Sequence, residues 1–145
     1  MKHTLLAASG PKTWALVFDK GDEAIETLTR FAKEHGLGGA HLTAIGAFSE
    51  VTLGYFDRSL RDYKRIPLRE QVEVLSLLGD VALDAGVPKI HAHAVVGLAD
   101  GSTRGGHLLE GRVWPTLEVI LIETPRHMRR RHDPESGLAL IDPAA

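Results

Sequence analysis

The sequence predicts one α+β domain, a mostly antiparallel β-sheet of about seven strands packed with one main helix. Three observations predict it. A single segment near the N-terminus carries helical apolar spacing, and almost everything after it consists of short β-branched runs. Those runs are joined by hairpin-length connections, which pair antiparallel neighbours. The chain has 145 residues, too few for two comfortable cores, so residues 1–145 form one domain with 126–145 as a basic and then apolar tail.

The first strand runs from Thr13 to Phe18. Trp14, Leu16 and Phe18 lie on one side and Ala15 and Val17 on the other, so both faces are apolar and the strand is interior. The helix spans about Asp22 to His35. Asp22 is its N-cap, Glu23 and Glu26 suit the positive end of the dipole, and Ile25, Leu28, Phe31 and Ala32 form the buried stripe. Gly36 and Leu37 supply a glycine C-cap with its hydrophobic contact. Ala40 to Phe56 is a long strand region bent at Gly46 and Gly54. A short edge strand lies around Tyr63 to Ile66, and Gln71 to Leu78 reads as a strand covered on both faces. Val81–Leu83, Ile90–Leu98, Gly106–Val113 and Leu117–Glu123 complete the set, and Pro125 stops the last. One helix cannot cover such a sheet, and oligomerisation is the simplest cover for the remaining apolar surface.

Composition narrows the function classes. Hydrophobic residues make up 43% and charged residues 25%, an ordinary globular balance, and a net charge of -2 does not describe a strongly basic nucleic-acid binder. Cysteine is absent, which excludes disulfides, thiolate metal sites and a cysteine nucleophile. The longest clean apolar runs, such as Leu5-Leu6-Ala7-Ala8, fall far short of the roughly 20 residues of a membrane span. They are also shorter than the apolar region of an export signal, so the expected location is the cytoplasm.

The eight histidines carry the sharpest signal. His91 and His93 stand two apart in Ile90-His91-Ala92-His93-Ala94-Val95, so a strand projects both imidazoles from one face. Asp100-Gly101 marks a hairpin turn. A three-residue loop, Ala99-Asp100-Gly101, pairs Leu98 with Ser102 and sets His93 directly opposite His107, with His91 diagonal to it. A two-residue loop sends His107 to the other face, and a bulge at Gly105-Gly106 changes the register again. Three converging imidazoles suit zinc, which takes three protein ligands and keeps a fourth position open; nickel, copper or iron accept the same donors. The alternatives are three solvent-facing strand histidines or a packing cluster on an assembly axis. His41 either joins the site or lies on a core face, and the core face is the preferred placement. His3, His35, His127 and His132 are expected to be exposed.

Other residues are less specific. Glu118 shares a face with Ile120 and Ile122 and reads as a partly buried carboxylate. It either orients a metal-bound histidine, acts as a general base, or pairs with Arg112 or Arg104. Glu73, among Val72, Val74 and Leu75, invites the same readings. Ser76 stands on no nucleophile elbow. Gly105-Gly106 is too short for a phosphate loop and instead either lets a neighbouring backbone approach closely or lets the chain turn.

The run His91-Ala92-His93, Asp100-Gly101, Gly105-Gly106-His107-Leu108 and Pro115-Thr116-Leu117-Glu118 resembles the plant and prokaryote conserved (PPC) domain family. Ala44-Ile45-Gly46-Ala47, Gly54-Tyr55-Phe56 and Glu73-Val74-Leu75-Ser76-Leu77-Leu78-Gly79 extend the resemblance over nearly the whole chain. It implies an antiparallel α+β fold assembled as a homotrimer. It further implies zinc on His91, His93 and His107, as in some members, and the DNA-binding label that bacterial and archaeal members carry. Plant members add an Arg-Gly-Arg-Pro hook for the minor groove, and this sequence has none. The nearest basic cluster holds Arg126, Arg129, Arg130 and Arg131, which either contact phosphates, form a solvated tail, or make ion pairs with a neighbouring subunit through Asp133 and Glu135; the tail readings are preferred. Two functions follow as expectations: a trimeric metal-binding domain with a macromolecular partner such as DNA, or a metal-dependent hydrolase or lyase acting on a small molecule. A structural trimer stabilised by the histidines is the third.

Overall fold

A computed structural model of the chain describes residues 1–7 and 9–144. In order, these form β1 (Lys2–Ala7), β2 (Thr13–Phe18), α1 (Ala24–Glu34), β3 (Gly39–Asp57), β4 (Asp62–Leu68), β5 (Val72–Asp84), β6 (Val87–Gly97), β7 (Thr103–Glu123), β8 (Arg130–His132) and β9 (Ala139–Ile141). Seven strands make one sheet in the order β1-β2-β7-β6-β5-β3-β4, every pairing antiparallel. The long strands β3 and β7 also pair with each other, so β3, β5, β6 and β7 close into a ring. The α+β expectation with about seven strands and one helix agrees with this architecture.

Two long strands can close a ring only by bending. Gly46 supplies one bend: its φ of +149° is open to glycine, and a Cβ there would strike the Thr116 carbonyl and the Leu117 backbone. The β3 ladder shifts register on both sides of it. Inside the ring lie Phe48, Leu53, Leu77, Val96, Leu108 and Leu117, all nearly inaccessible to solvent. Helix α1 adds Leu28, Phe31 and Ala32 to the same core.

The helix starts one residue later than the sequence suggests. Glu23, not Asp22, is the N-cap: its carboxylate accepts the Glu26 N–H at 2.7 Å and also the Gly111 N–H at 2.9 Å, tying the helix to β7. Asp22 instead accepts the Asp19 N–H and closes the preceding turn. Ala24 and Thr27 join the buried stripe, while Ile25 is only partly buried. At the other end Gly36, at φ +63°, donates to the Lys33 carbonyl and Leu37 donates to that of Ala32, the expected glycine cap with its buried leucine.

Three strand expectations need correction. β1 has no counterpart in the sequence reading because Lys2-His3-Thr4 is polar and most of the strand is exposed; backbone pairing with β2 and the edge of the His3 ring against Trp14 and Phe31 hold it. β5 runs unbroken through Gly79-Asp80 and is covered on one face only, with Leu75 and Leu78 exposed on the other. β7 fuses two expected strands, because the sheet bends at Trp114-Pro115, where the ladder to β3 shifts, without ending the strand. The interior position of β2 is as expected, although Val17 is uncovered.

The open face therefore carries Val17, Ile45, Leu75, Leu78 and Ile120, all exposed and drawn from four strands. The tail forms its own two-stranded sheet, β8 with β9, fastened where Leu83 donates to the Met128 carbonyl and Met128 donates to that of Gly38. No helix among the described residues is long and apolar enough to cross a membrane.

Candidate metal centre

The β6–β7 hairpin decides the site. Leu98 and Ser102 close a three-residue loop, Gly101 takes φ +80° within it, and the Asp100 carboxylate accepts the Ser102 N–H. From there the ladder runs in regular register and pairs His93 with His107. Gly105-Gly106 introduces no bulge into it. Gly106 serves close approach instead, since a Cβ there would lie 2.7 Å from the Gly54 carbonyl oxygen.

The three imidazoles His91, His93 and His107 form one cluster, with ring centroids 5.1, 5.1 and 5.3 Å apart. Each offers a nitrogen that lies within 4.8 Å of the other two. Burial, together with repulsion from His91 and His93, holds His107 neutral down to a pKa of about 4. Burial and His91 likewise push His93 below the usual histidine range. Neutral imidazoles are what a transition metal requires. The buried Nδ1 of His107 has no hydrogen-bond partner among the described residues, an uncompensated lone pair or N–H that a ligand would satisfy. The donor set thus fits a metal ion of the borderline class.

Two neighbours complete the surroundings, and neither was anticipated. Tyr63 of β4 stacks on His107, with centroids 4.6 Å apart and planes 27° from parallel. Gly54 makes room for it, because a Cβ there would press on the Tyr63 ring at 2.8 Å. Asp80 of β5 lies opposite His91 in the ladder, and its Oδ2 stands 3.5 Å from His91 Nδ1. Its position was hidden because Gly79-Asp80 reads as a break between strands; only the β5–β6 register reveals it.

The acidic residues named from sequence stand elsewhere. Glu118 is exposed and lies opposite Ile45 and Val17, outside the histidine cluster. Glu73 is exposed opposite Gly97, about 13 Å along β6 from His93. Both line a cavity of about 400 Å³ with Ile45 and Leu75 on the open face. The partial burial expected of Glu118 fails because its neighbours Val17, Ile45 and Ile120 are themselves uncovered. His41 is exposed rather than in the core: Leu42 and Ala44 take the inward positions, and His41 lies opposite Asp80. His35 is half-buried, stacked on Phe31, while His3, His127 and His132 are exposed as expected.

The tail arginines divide. Arg130 is almost fully buried and ion-paired with Asp80, and Arg131 pairs with Asp142 at 2.7 Å. Arg126 and Arg129 are exposed and have no carboxylate partner among the described residues. Within the chain, Asp133 caps the Ser136 turn.

With this geometry in hand, the profile of the Plants and Prokaryotes Conserved (PCC) domain matches residues 6–125. The chain belongs to the PCC domain family. A plant- and prokaryote-conserved protein of Pyrococcus horikoshii shares the fold at a TM-score of 0.85 and 32% identity, over 97% of this chain and 94% of that one. A metal-containing protein of Archaeoglobus fulgidus aligns at a TM-score of 0.84 and 32% identity, over 97% and 99% of the two chains. A Bacteroides thetaiotaomicron protein named a putative DNA-binding protein aligns at 0.86 and 26%, over 97% and 96%. The PCC domain is also 34% identical over 120 residues to the bifunctional protein GlmU of a Synechococcus strain. That match takes in 81% of this chain but only 18% of the relative.

Proposed function

We propose that this PCC domain is a zinc-binding protein that assembles as a homotrimer through the open face of its sheet. The observation that carries the metal part is the convergence of ring nitrogens of His91, His93 and His107 within 4.8 Å of one another. Zinc is the ion chosen because it accepts three imidazoles and leaves one position open; when bound it would supply a Lewis acid. The metal-containing relative supports the same reading.

The trimer is supported by the family resemblance and by Ile45, Leu75 and Leu78, more than half exposed on one apolar face. DNA contact is the weaker part of the family label for this chain. The name of the Bacteroides relative supports it, but Arg130 is already paired with Asp80 of β5, Arg131 with Asp142 of the tail, and the net charge is -2. A second reading, a metal-dependent hydrolase or lyase on a small molecule, draws on the Tyr63 phenol, which burial pushes above its usual range, and on the Asp80 carboxylate.

Zinc titration against a competing chelator, with light scattering on the same samples, tests the proposal. We expect one zinc per chain and a particle of three chains, with Ile45→Glu reducing the particle to one chain. A monomer at all concentrations removes the assembly, and no zinc uptake removes the metal. DNA binding that persists at physiological salt would restore the DNA reading.

A further inference from the structure

We propose that the C-terminal tail is a working part of the histidine site: through Arg130 and Asp80 it fixes which nitrogen of His91 carries the proton. This inference rests on reading the three histidines as a metal site, but its first consequence is visible without metal.

The family match ends at residue 125, and the tail that follows turns back onto the sheet. Met128 is clamped between Leu83 and Gly38 by backbone hydrogen bonds, and Arg129 forms a parallel bridge with Leu83. The next residue, Arg130, is thereby delivered to β5. Its side chain is only 5% exposed, and one guanidinium nitrogen donates to Oδ1 of Asp80 while another donates to the Ala139 carbonyl at 3.1 Å. A cation buried to that degree is retained only where a partner compensates it. The other oxygen of the same carboxylate, Oδ2, faces His91 Nδ1 at 3.5 Å.

One carboxylate thus serves two clients. With Oδ1 held by the tail, Oδ2 is placed 3.5 Å from the imidazole, where its charge favours a proton on Nδ1 and leaves the lone pair of His91 on Nε2. Carboxylate partners of this kind fix the tautomer and ring orientation of metal-binding histidines, and their loss typically weakens binding ~10–100-fold. His41 also lies opposite Asp80, but its ring is exposed and is not engaged with the carboxylate in an ion pair. Asp80 and Arg130 are positioning residues here. By linkage, metal binding and tail docking must then stabilise each other to the same extent.

The test uses the full chain and two readouts. Nitrogen NMR of the histidine rings, on metal-free protein at mildly alkaline pH, reports the His91 tautomer. Zinc titration reports affinity. Wild type should show His91 protonated on Nδ1, and Asp80→Asn should lose that preference and ~10–100-fold in zinc affinity. Arg130→Met should do the same more weakly and release the β8–β9 amides to hydrogen exchange, with Arg130→Lys restoring both. Because Asp80→Asn strands a buried cation, the double variant Asp80→Asn with Arg130→Met keeps the test open if the single one unfolds. Unchanged tautomer and unchanged zinc affinity in the folded variants would overturn the proposal while leaving the metal site standing. A tautomer that depends on Asp80 and Arg130 in a protein that takes up no zinc would uphold the positioning role and sink the metal reading.

Discussion

Two histidine clusters in this chain have similar spacing and different chemistry. His3 and His35 have ring centroids 5.3 Å apart, the same separation as His93 and His107. Yet His35 stacks on Phe31 at 4.1 Å, points an edge at Trp14, and holds its Nδ1 3.1 Å from the Phe31 carbonyl, a contact that requires a proton on that nitrogen. His3 packs its edge on Trp14 and Phe31. These imidazoles extend an aromatic cluster at the helix end. In the hairpin cluster the nitrogens converge, burial keeps two of the rings below the usual histidine pKa, and one nitrogen has no partner among the described residues. Proximity is therefore a poor criterion for a metal site; where the lone pairs point is the informative one.

The largest expected difference between the clusters is in stabilisation by metal. At a thousandfold excess over its dissociation constant, zinc should stabilise wild type by about 4 kcal/mol, read as a melting temperature about 10 °C higher. His107→Ala should abolish that rise. His35→Ala should lower the starting stability by about 1 kcal/mol and keep the rise intact. A rise that depends on His35 instead would reverse the comparison.

Acid should separate the two clusters next. The folded pKa of His107, about 4, lies below its ordinary 6.5. The unfolded chain therefore binds a proton first as pH falls, and the stability contributed by the neutral ring is present above about 6.5 and lost by about 4. Metal binding should fade over the same window. Denaturant unfolding of His107→Ala at several pH values should show a flatter profile than wild type; identical slopes would mean the ring is not held neutral.

Two smaller effects probe the supports. Gly106→Ala forces a Cβ against the Gly54 carbonyl and should cost about 1–3 kcal/mol while weakening metal binding, because it displaces the strand beside His107. Tyr63→Leu removes the stack on His107 and should cost about 1 kcal/mol. The least effect is expected of Arg131→Ala, within about 0.5 kcal/mol, since its pair with Asp142 leaves the guanidinium three-quarters exposed.

The sequence was most legible where local rules govern. Period-two alternation puts His91 and His93 on one face, and Asp100-Gly101 with a three-residue loop brings His107 opposite; both are short-range facts, and the structure has them. The helix and its glycine cap are local in the same way. What could not be read was long-range. Asp80 reaches His91 only through the β5–β6 register, Tyr63 reaches His107 only because β4 flanks β3 beside Gly54, and Arg130 arrives from fifty residues downstream of Asp80. Glu118 and Glu73 were chosen for apolar neighbours in sequence, but those neighbours lie on a face that this chain alone leaves open.

The central claim is that the hairpin, and not the aromatic cluster, holds a metal ion. Metal analysis of full-length protein purified without a histidine tag tests it directly. One equivalent of zinc per chain is expected in wild type and in His35→Ala, and close to none in folded His91→Ala, His93→Ala and His107→Ala. Equal, near-zero metal in all five proteins after incubation with zinc, or equal full occupancy in all five, would contradict it.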